Sequence, residues 1–210
     1  MIRFDATALA RIAPGGQLQV FERFAELEPF GVLAWKRRAD HFLAQVLHET
    51  NGLTILVEGL SYSAKRLTQV WPKRFPSLQA AAPYADNPRA LANKVYGGRM
   101  GNVDPDDGWR YIGRGLLQLT GRSAYRQIGA ALGLDLEGFP MLVLEPEHCL
   151  RVAGAVWLEK RCNEFADVDS ISQVTKAING GLIGLEDRLS WLHMVRDFDV
   201  IVERPSDVSE

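Results

Sequence analysis

Two carboxylates lie close together in the chain, Glu49 within His48-Glu49-Thr50-Asn51-Gly52 and Glu58 within Glu58-Gly59-Leu60-Ser61-Tyr62-Ser63. The chemistry such a pair could do is cleavage of a glycosidic bond. One carboxyl gives a proton to the leaving oxygen and the other activates water or attacks the sugar. If a single helix ran through both, nine positions (58 − 49) at about 1.5 Å and about 100° each would put them roughly 13 Å apart on opposite faces. Asn51-Gly52 prevents this, because Gly, and less often Asn, adopts the left-handed backbone that ends helices. The chain is therefore expected to turn back there, with Glu58 facing Glu49 across a cleft.

The element that must position Glu49 is a helix expected over residues 34–50, with Phe42, Leu43, Val46 and Leu47 on its apolar stripe and Glu49 at the margin. Partial burial disfavours the charged form of a carboxylate, which makes Glu49 the better candidate for the proton donor. His48-Glu49 is not a zinc-protease helix, because the second histidine that motif requires is replaced by Gly52. His41 and His48 share a helix face, but no further metal ligands accompany them, and structural or surface roles are expected for both. Residues 116–121, Leu-Leu-Gln-Leu-Thr-Gly, alternate apolar and polar. A short extended segment is expected, with Gln118 and Thr120 on one face where they could hold a sugar or a water.

The rest of the chain reads as helices separated by strong breakers. Residues 1–16 are mixed and end in a Pro-Gly-Gly turn, and 17–28 carry apolar positions near a helical period, closed by Pro29-Phe30-Gly31. Helices are expected over 63–70, 89–96, 123–132, 146–161, 170–178 and 185–198, the fifth of these stopping at Asn179-Gly180-Gly181. A turn is expected at 83–88 and a long loop over 97–108. Asp104, Asp106 and Asp107 in that loop lack the glycine and the final glutamate of an EF-hand, and a solvated acidic loop is expected instead. Residues 203–210 read as a polar tail.

The chain has 210 residues, 47% of them hydrophobic and 24% charged, which suits one core of ordinary size or two small lobes. With neither repeat nor linker, 1–210 is expected to be a single domain. A formal charge of −2 and a pI near 6.1 provide no broad basic field, so nucleic acid is not an expected partner. Gly113-Arg114-Gly115 lacks the third glycine of a dinucleotide fingerprint, and no Walker-type Gly-Lys-Ser/Thr occurs. The two cysteines, Cys149 and Cys162, read as lying on one helix about 20 Å apart. They are expected to be free thiols, since a disulfide needs Cα atoms within about 7 Å. The start of the chain lacks a signal-peptide pattern, and no apolar stretch of about 18 residues occurs. A soluble cytoplasmic protein without stable membrane insertion is expected, one that reaches an outside substrate through another system.

Taken together, residues 48–52 and 58–63, Tyr96-Gly97-Gly98-Arg99-Met100-Gly101-Asn102, residues 107–121 (Asp-Gly-Trp-Arg-Tyr-Ile-Gly-Arg-Gly-Leu-Leu-Gln-Leu-Thr-Gly) and Ile178-Asn179-Gly180-Gly181 resemble the family 19 glycoside hydrolases. That family comprises chitinases and related phage endolysins that act on peptidoglycan, and the likeness is nearest to the phage type. Five blocks in the right order make the match specific, and it covers residues from about 35 to 195. The resemblance implies a mainly α, lysozyme-like (α+β) fold, with two helical lobes flanking a substrate cleft and a small β-element. It implies Glu49 as general acid, Glu58 as general base and Thr120 as the residue that helps hold the attacking water. Gln118 and Asn179 would bind substrate, with Tyr96, Tyr111 and Arg188 as further carry-overs. Members invert at the anomeric carbon, which agrees with a water held between carboxyls about 6.5–9.5 Å apart. Ala124 stands where many members carry Asn.

The resemblance implies no cofactor and no metal, a peptidoglycan or chitin-like polysaccharide as partner, and a monomer. The expected function is that of an endolysin, with a chitinase as the alternative. A third possibility is an inactive glycan-binding module, against which the presence of Glu49, Glu58 and Thr120 argues. Tyr96, Trp109 and Tyr111 also fit as core aromatics, and Arg114 and Arg188 as ion-pair partners of the acids.

Overall fold

A computed structural model describes residues 1–203. The fold is mainly α: among the described residues there are eleven α-helices and one two-stranded sheet. The described residues form two compact units, one built from residues 1–56, 115–117 and 141–203, the other from 57–114 and 118–140.

In the first unit, β1 (Ile2–Phe4) pairs antiparallel with β2 (Ile201–Glu203), Ile2 opposite Glu203 and Phe4 opposite Ile201. Glu203, expected in the polar tail, is thus in a strand, and 204–210 lie outside the described residues. The mixed N-terminal stretch contains α1 (Ala6–Ile12), whose first turn is capped by the Asp5 carboxylate accepting from the Ala8 N–H at 2.9 Å.

Residues 17–28 do not form the expected α-helix. They form two 3₁₀ segments, Leu18–Phe21 and Phe24–Phe30. The apolar positions 18, 21, 24, 27 and 30 are spaced by three, and a 3₁₀ helix with about three residues per turn puts them on one line where an α-helix would spread them. Gly31, left-handed at φ 70°, ends the segment.

The centre of this unit is α2 (Lys36–Glu49), in which every residue from Ala39 to Leu47 is buried. Against it lie α8 (Pro146–Glu159), with Trp157 edge-on to Phe42 at 5.5 Å, and α11 (Leu185–Asp197). His41 of α2 is fully buried, 2.8 Å from Asp169 Oδ1. Burial lowers its pKa against the opposing pull of that carboxylate, a structural role. The helix expected over 146–161 breaks at Arg161, left-handed at φ 56°, and α9 (Cys162–Asp167) follows. The two cysteines therefore do not share a helix, though both are buried and free. Burial pushes the Cys149 thiol up to about 11 and that of Cys162 to about 12. Next comes α10 (Ile171–Asn179), capped by Ser170 and ended by Gly180 at φ 73°.

The second unit contains α3 (Ala64–Val70), α4 (Leu78–Ala81), α5 (Pro88–Tyr96), α6 (Asp107–Arg110) and α7 (Arg122–Leu132). Ser63, Ser77 and Asn87 each accept a first-turn backbone N–H, the usual use of short polar side chains at helix starts. Leu60, Leu67, Phe75, Leu91, Val95 and Ile112 form the core, with Trp71, Tyr84 and Trp109 packed against it.

The acidic loop is not simply solvated. Asp106 pairs with Arg89 at 2.7 Å, while Asp104 and Asp107 pair with Arg122 at 2.7 and 3.0 Å. Residues 116–121 are not extended either. Gln118 is left-handed at φ 52°, and Arg114 and Leu119 exchange backbone hydrogen bonds of 2.8 and 3.2 Å, closing a tight turn.

Candidate active site

Glu49 ends α2 in the first unit, and the chain turns immediately after it. Asn51, Gly52 and Leu53 are left-handed in succession at φ 48°, 66° and 66°. The Gly52 N–H donates back to Leu47 O at 2.7 Å, and Thr50 Oγ1 bridges Val46 O at 2.6 Å and the Leu53 N–H at 2.9 Å. A left-handed leucine costs on the order of 1–2 kcal/mol. Full burial of the Leu53 side chain offsets that cost, at about 1.5–3 kcal/mol for a residue of this type.

The Glu49 side chain is 17% exposed, and its Oε1 accepts from Nη2 of Arg188, a guanidinium only 1% exposed. Arg188 also donates to Oε1 of Gln45, one turn earlier on α2. Beside this pair, His48 Nδ1 lies 2.6 Å from Asp187 Oδ2. Adjacent residues of α2 are thereby tied to adjacent residues of α11. Gly184 makes room for the second tie, since a β-carbon there would come within 2.5 Å of His48 Cε1. Asn179 is exposed at the end of α10, its amide donating to Ile183 O at 3.3 Å.

Glu58 lies in the second unit. Its backbone N–H donates to Gly113 O at 3.0 Å. Its side chain is held at both oxygens: Oε1 accepts from the Gly113 N–H at 2.6 Å and Oε2 from Tyr96 Oη at 2.7 Å. Burial first, and then the charge of Glu58, raise the pKa of Tyr96. The phenol thus remains a donor well into the alkaline range. Gly113 is the meeting point of the site, since a β-carbon on it would lie 2.7 Å from Gln118 Oε1, 3.1 Å from Thr120 Oγ1 and 3.4 Å from Glu58 Cδ. Gln118 and Thr120 reach this place through the tight turn rather than along an extended strand. Thr120 donates its hydroxyl proton to Gln118 O at 2.9 Å.

Two residues named from the sequence sit elsewhere in the second unit. Tyr111 is 1% exposed, with its ring 5.3 Å from Tyr125 and its hydroxyl donating to Glu137 O at 3.0 Å. Arg114 is buried and donates to Arg110 O, Ile112 O and Tyr125 Oη, so its partners are neutral oxygens and not a site carboxylate. Sequence reasoning missed Gln45 and the central place of Gly113. Gln45 stands four residues before Glu49, the spacing that brings two side chains together on a helix. Gly113 gave no signal that set it apart from a turn glycine. Among the described residues, no group of three His, Cys, Asp or Glu side chains is arranged to hold a metal.

A carboxylate oxygen has two lone pairs and a hydroxyl oxygen also has two. Glu58 and Thr120 can each therefore accept a further hydrogen bond from a water. In the first unit, a carboxyl at the end of a buried helix, held from behind by a buried guanidinium, can present its remaining oxygen to a ligand.

No model of a known protein family matches the chain. A glycosyl hydrolase family 19 domain-containing protein of Haemophilus influenzae (strain Rd) is 39% identical to it over 171 residues, 78% of this chain and 80% of the relative. Among solved structures, chitinase C from Streptomyces griseus HUT6037 shares the fold with a TM-score of 0.60 at 17% identity, over 93% of this chain and 92% of that one. A bacterial family 19 chitinase does so with a TM-score of 0.54 at 20% identity, over 94% of each chain. These likenesses are of the mainly α, lysozyme-like fold. The sequence identity to the Haemophilus protein, sustained over four fifths of its length, goes further: the chain belongs to glycosyl hydrolase family 19 and is a glycosidase.

Proposed function

We propose that this glycosidase is an endolysin-type enzyme, a single catalytic domain that hydrolyses the glycan strands of bacterial peptidoglycan with inversion. The observation that carries the mechanism is the convergence of Glu58, Thr120 and Gln118 around Gly113. Glu58 is anchored at both oxygens by Tyr96 and Gly113, which sets the direction of its free lone pairs. Thr120 has committed its proton to Gln118 O, so its oxygen accepts. A water can give one hydrogen to Glu58 and one to Thr120, leaving a lone pair for the anomeric carbon. As that C–O bond forms, the bond to the leaving oxygen breaks. Glu58 takes the water's proton, and Glu49, protonated on the oxygen that Arg188 does not hold, supplies one to the leaving oxygen. In this reading Gln118 and Asn179 bind the sugar, Tyr96 and Arg188 hold the two carboxyls, and Tyr111 supports the second unit from within. The enzyme uses no cofactor, works as a monomer, and acts on the wall once another system gives it access.

The likeness of the five sequence blocks to phage endolysins supports peptidoglycan as the substrate. The second reading, a chitinase, is favoured by the two solved chitinases that share the fold. Loss of turbidity of permeabilised bacteria, set against release of soluble oligomers from chitin, separates the two. Activity on chitin alone would remove the first. Glu49→Gln is expected to abolish lysis, and lysis at the wild-type level would overturn the assignment of the proton donor. Mass analysis of the reducing ends released from purified peptidoglycan identifies the bond that is cut.

A further inference from the structure

The charge of the chain is unevenly placed. Between residues 57 and 103 there are seven cations (Lys65, Arg66, Lys73, Arg74, Arg89, Lys94, Arg99) and two acids (Glu58, Asp86), a net +5 within a chain of net −2. Arg89 is neutralised by Asp106. Among the described residues, Lys65, Arg66, Lys73, Arg74 and Lys94 have no ion-pair partner.

Three of these cations line one recess of about 780 Å³ in the second unit, formed by Val70, Trp71, Pro72, Lys73, Arg74 and Lys94. Lys73 and Lys94 are exposed and Arg74 is half-buried. The frame around them is hydrogen-bonded and packed. The Arg74 and Phe75 N–H groups both donate to Trp71 O, at 2.9 and 2.8 Å, and the Trp71 ring packs edge-on to Tyr62 at 5.4 Å. Cations gathered without an acid repel one another, and an anion placed among them removes that repulsion and adds attraction. The indole and Pro72 form an apolar floor beside the charges. Lys94 stands two residues before Tyr96, and about 100° per residue sets them on opposite sides of α5. The recess is therefore not the face on which Tyr96 holds Glu58.

We propose that this recess binds the free carboxylates of peptidoglycan stem peptides, giving the enzyme a hold on the wall polymer apart from its catalytic residues. The proposal rests on the peptidoglycan reading above and deepens it. Chitin is uncharged, whereas peptidoglycan strands carry peptides with carboxylates, and only the second gives unpaired cations a partner.

The test measures co-sedimentation with purified sacculi, using full-length Glu49→Gln protein so that the polymer stays intact, with and without Lys73→Glu plus Arg74→Glu. The charge-reversed protein is expected to bind about tenfold more weakly at about 50 mM salt, with the deficit closing near 500 mM where surface charges are screened. On glycan strands stripped of their peptides by an amidase, the two proteins are expected to bind alike. Lys73→Arg plus Arg74→Lys is expected to retain binding. Equal binding of the wild-type and reversed recess to intact sacculi would overturn the proposal. So would an equal deficit on stripped strands, or preference for vesicles containing phosphatidylglycerol over sacculi, which would make the recess a membrane contact. Binding is read without turnover. A failure of the catalytic reading shows separately, as lysis by Glu49→Gln.

Discussion

Tyr96 Oη donates to Glu58 Oε2 at 2.7 Å from a helix 38 residues further along the chain. The Gly113 N–H holds the other carboxyl oxygen at 2.6 Å. With both oxygens held, rotation of the carboxylate about its last bond is restrained, and its remaining lone pairs favour one direction. In the proposed mechanism Glu58 takes a proton from a single water, and that restriction would serve it, because a misplaced acceptor loses the ordering of the reactants.

Tyr96→Phe removes one of the two anchors and keeps the ring. The expected outcome is a fall in kcat of about tenfold or more with KM nearly unchanged, and a loss of about 1.5–3 kcal/mol in stability, as for a hydrogen bond to a charged group. Steady-state kinetics on sacculi and denaturant unfolding measure the two. A kcat equal to the wild type would show that Glu58 does not need this orientation.

Gly113→Ala tests the meeting point. The new methyl would press on Gln118 Oε1 at 2.7 Å and Thr120 Oγ1 at 3.1 Å, closer than ordinary contact, while the backbone at 113 is one that alanine can adopt. Overpacking of this kind costs about 1–3 kcal/mol. The larger expected effect is on turnover, at least tenfold, because the displaced groups are those assigned to the water and the sugar. Full activity in this variant would separate Thr120 and Gln118 from the chemistry.

Arg188→Leu leaves Glu49 and Gln45 without their shared partner beneath the surface of α2. Removing one member of such a pair strands the other, and destabilisation of about 3 kcal/mol is expected. Adding Glu49→Gln to the same chain puts a neutral amide in place of the stranded carboxyl and should recover part of that loss. Urea unfolding of the two single variants and the double variant measures the coupling, and additive losses would show that the pair does not act as a unit.

Glu137 contributes to acid stability in the second unit, where Asp106 and Asp107 are also held below the usual carboxylate range. Hydrogen bonds from Arg126 and then Arg122 hold its carboxyl down at about 2, against an unfolded value near 4.3. Its folded pKa is the lower of the two. The stability it contributes is therefore present above about pH 4 and lost as pH falls towards about 2. Glu137→Gln should lower Tm at pH 6 and flatten the fall of Tm between about pH 4 and pH 2. Asp169 in the first unit, held at about 2 chiefly by Arg196, leaves some slope in the variant. Parallel melting curves for wild type and variant across that range would remove Glu137 from the account.

Local backbone chemistry could be read without coordinates wherever a preference acts within about one turn. Asn51-Gly52 follows the end of α2 at Glu49 as expected, because both residues tolerate the left-handed region that such an ending requires. Ser63, Asn87 and Ser170 cap helices, and Gly133 and Gly180 end them, at the places their types suggest. The short α1 and α4 escaped notice, since seven and four residues are too few for an apolar period to stand out. The 3₁₀ segments of 18–30 were mistaken for α-helix because a three-residue repeat is close to a 3.6-residue one over so short a span.

What the amino-acid order settled was the presence and kind of the groups proposed to react, the breaks between helices, and the mainly α class of the fold. Folding alone decided which groups meet. Arg188 reaches Glu49 across 139 positions and Gly113 reaches Glu58 across 55. Gln118 arrives beside Gly113 only through a left-handed turn that its alternating pattern concealed. Such meetings depend on which faces the core buries together, a long-range balance of apolar burial against chain entropy that no run of neighbouring residues contains.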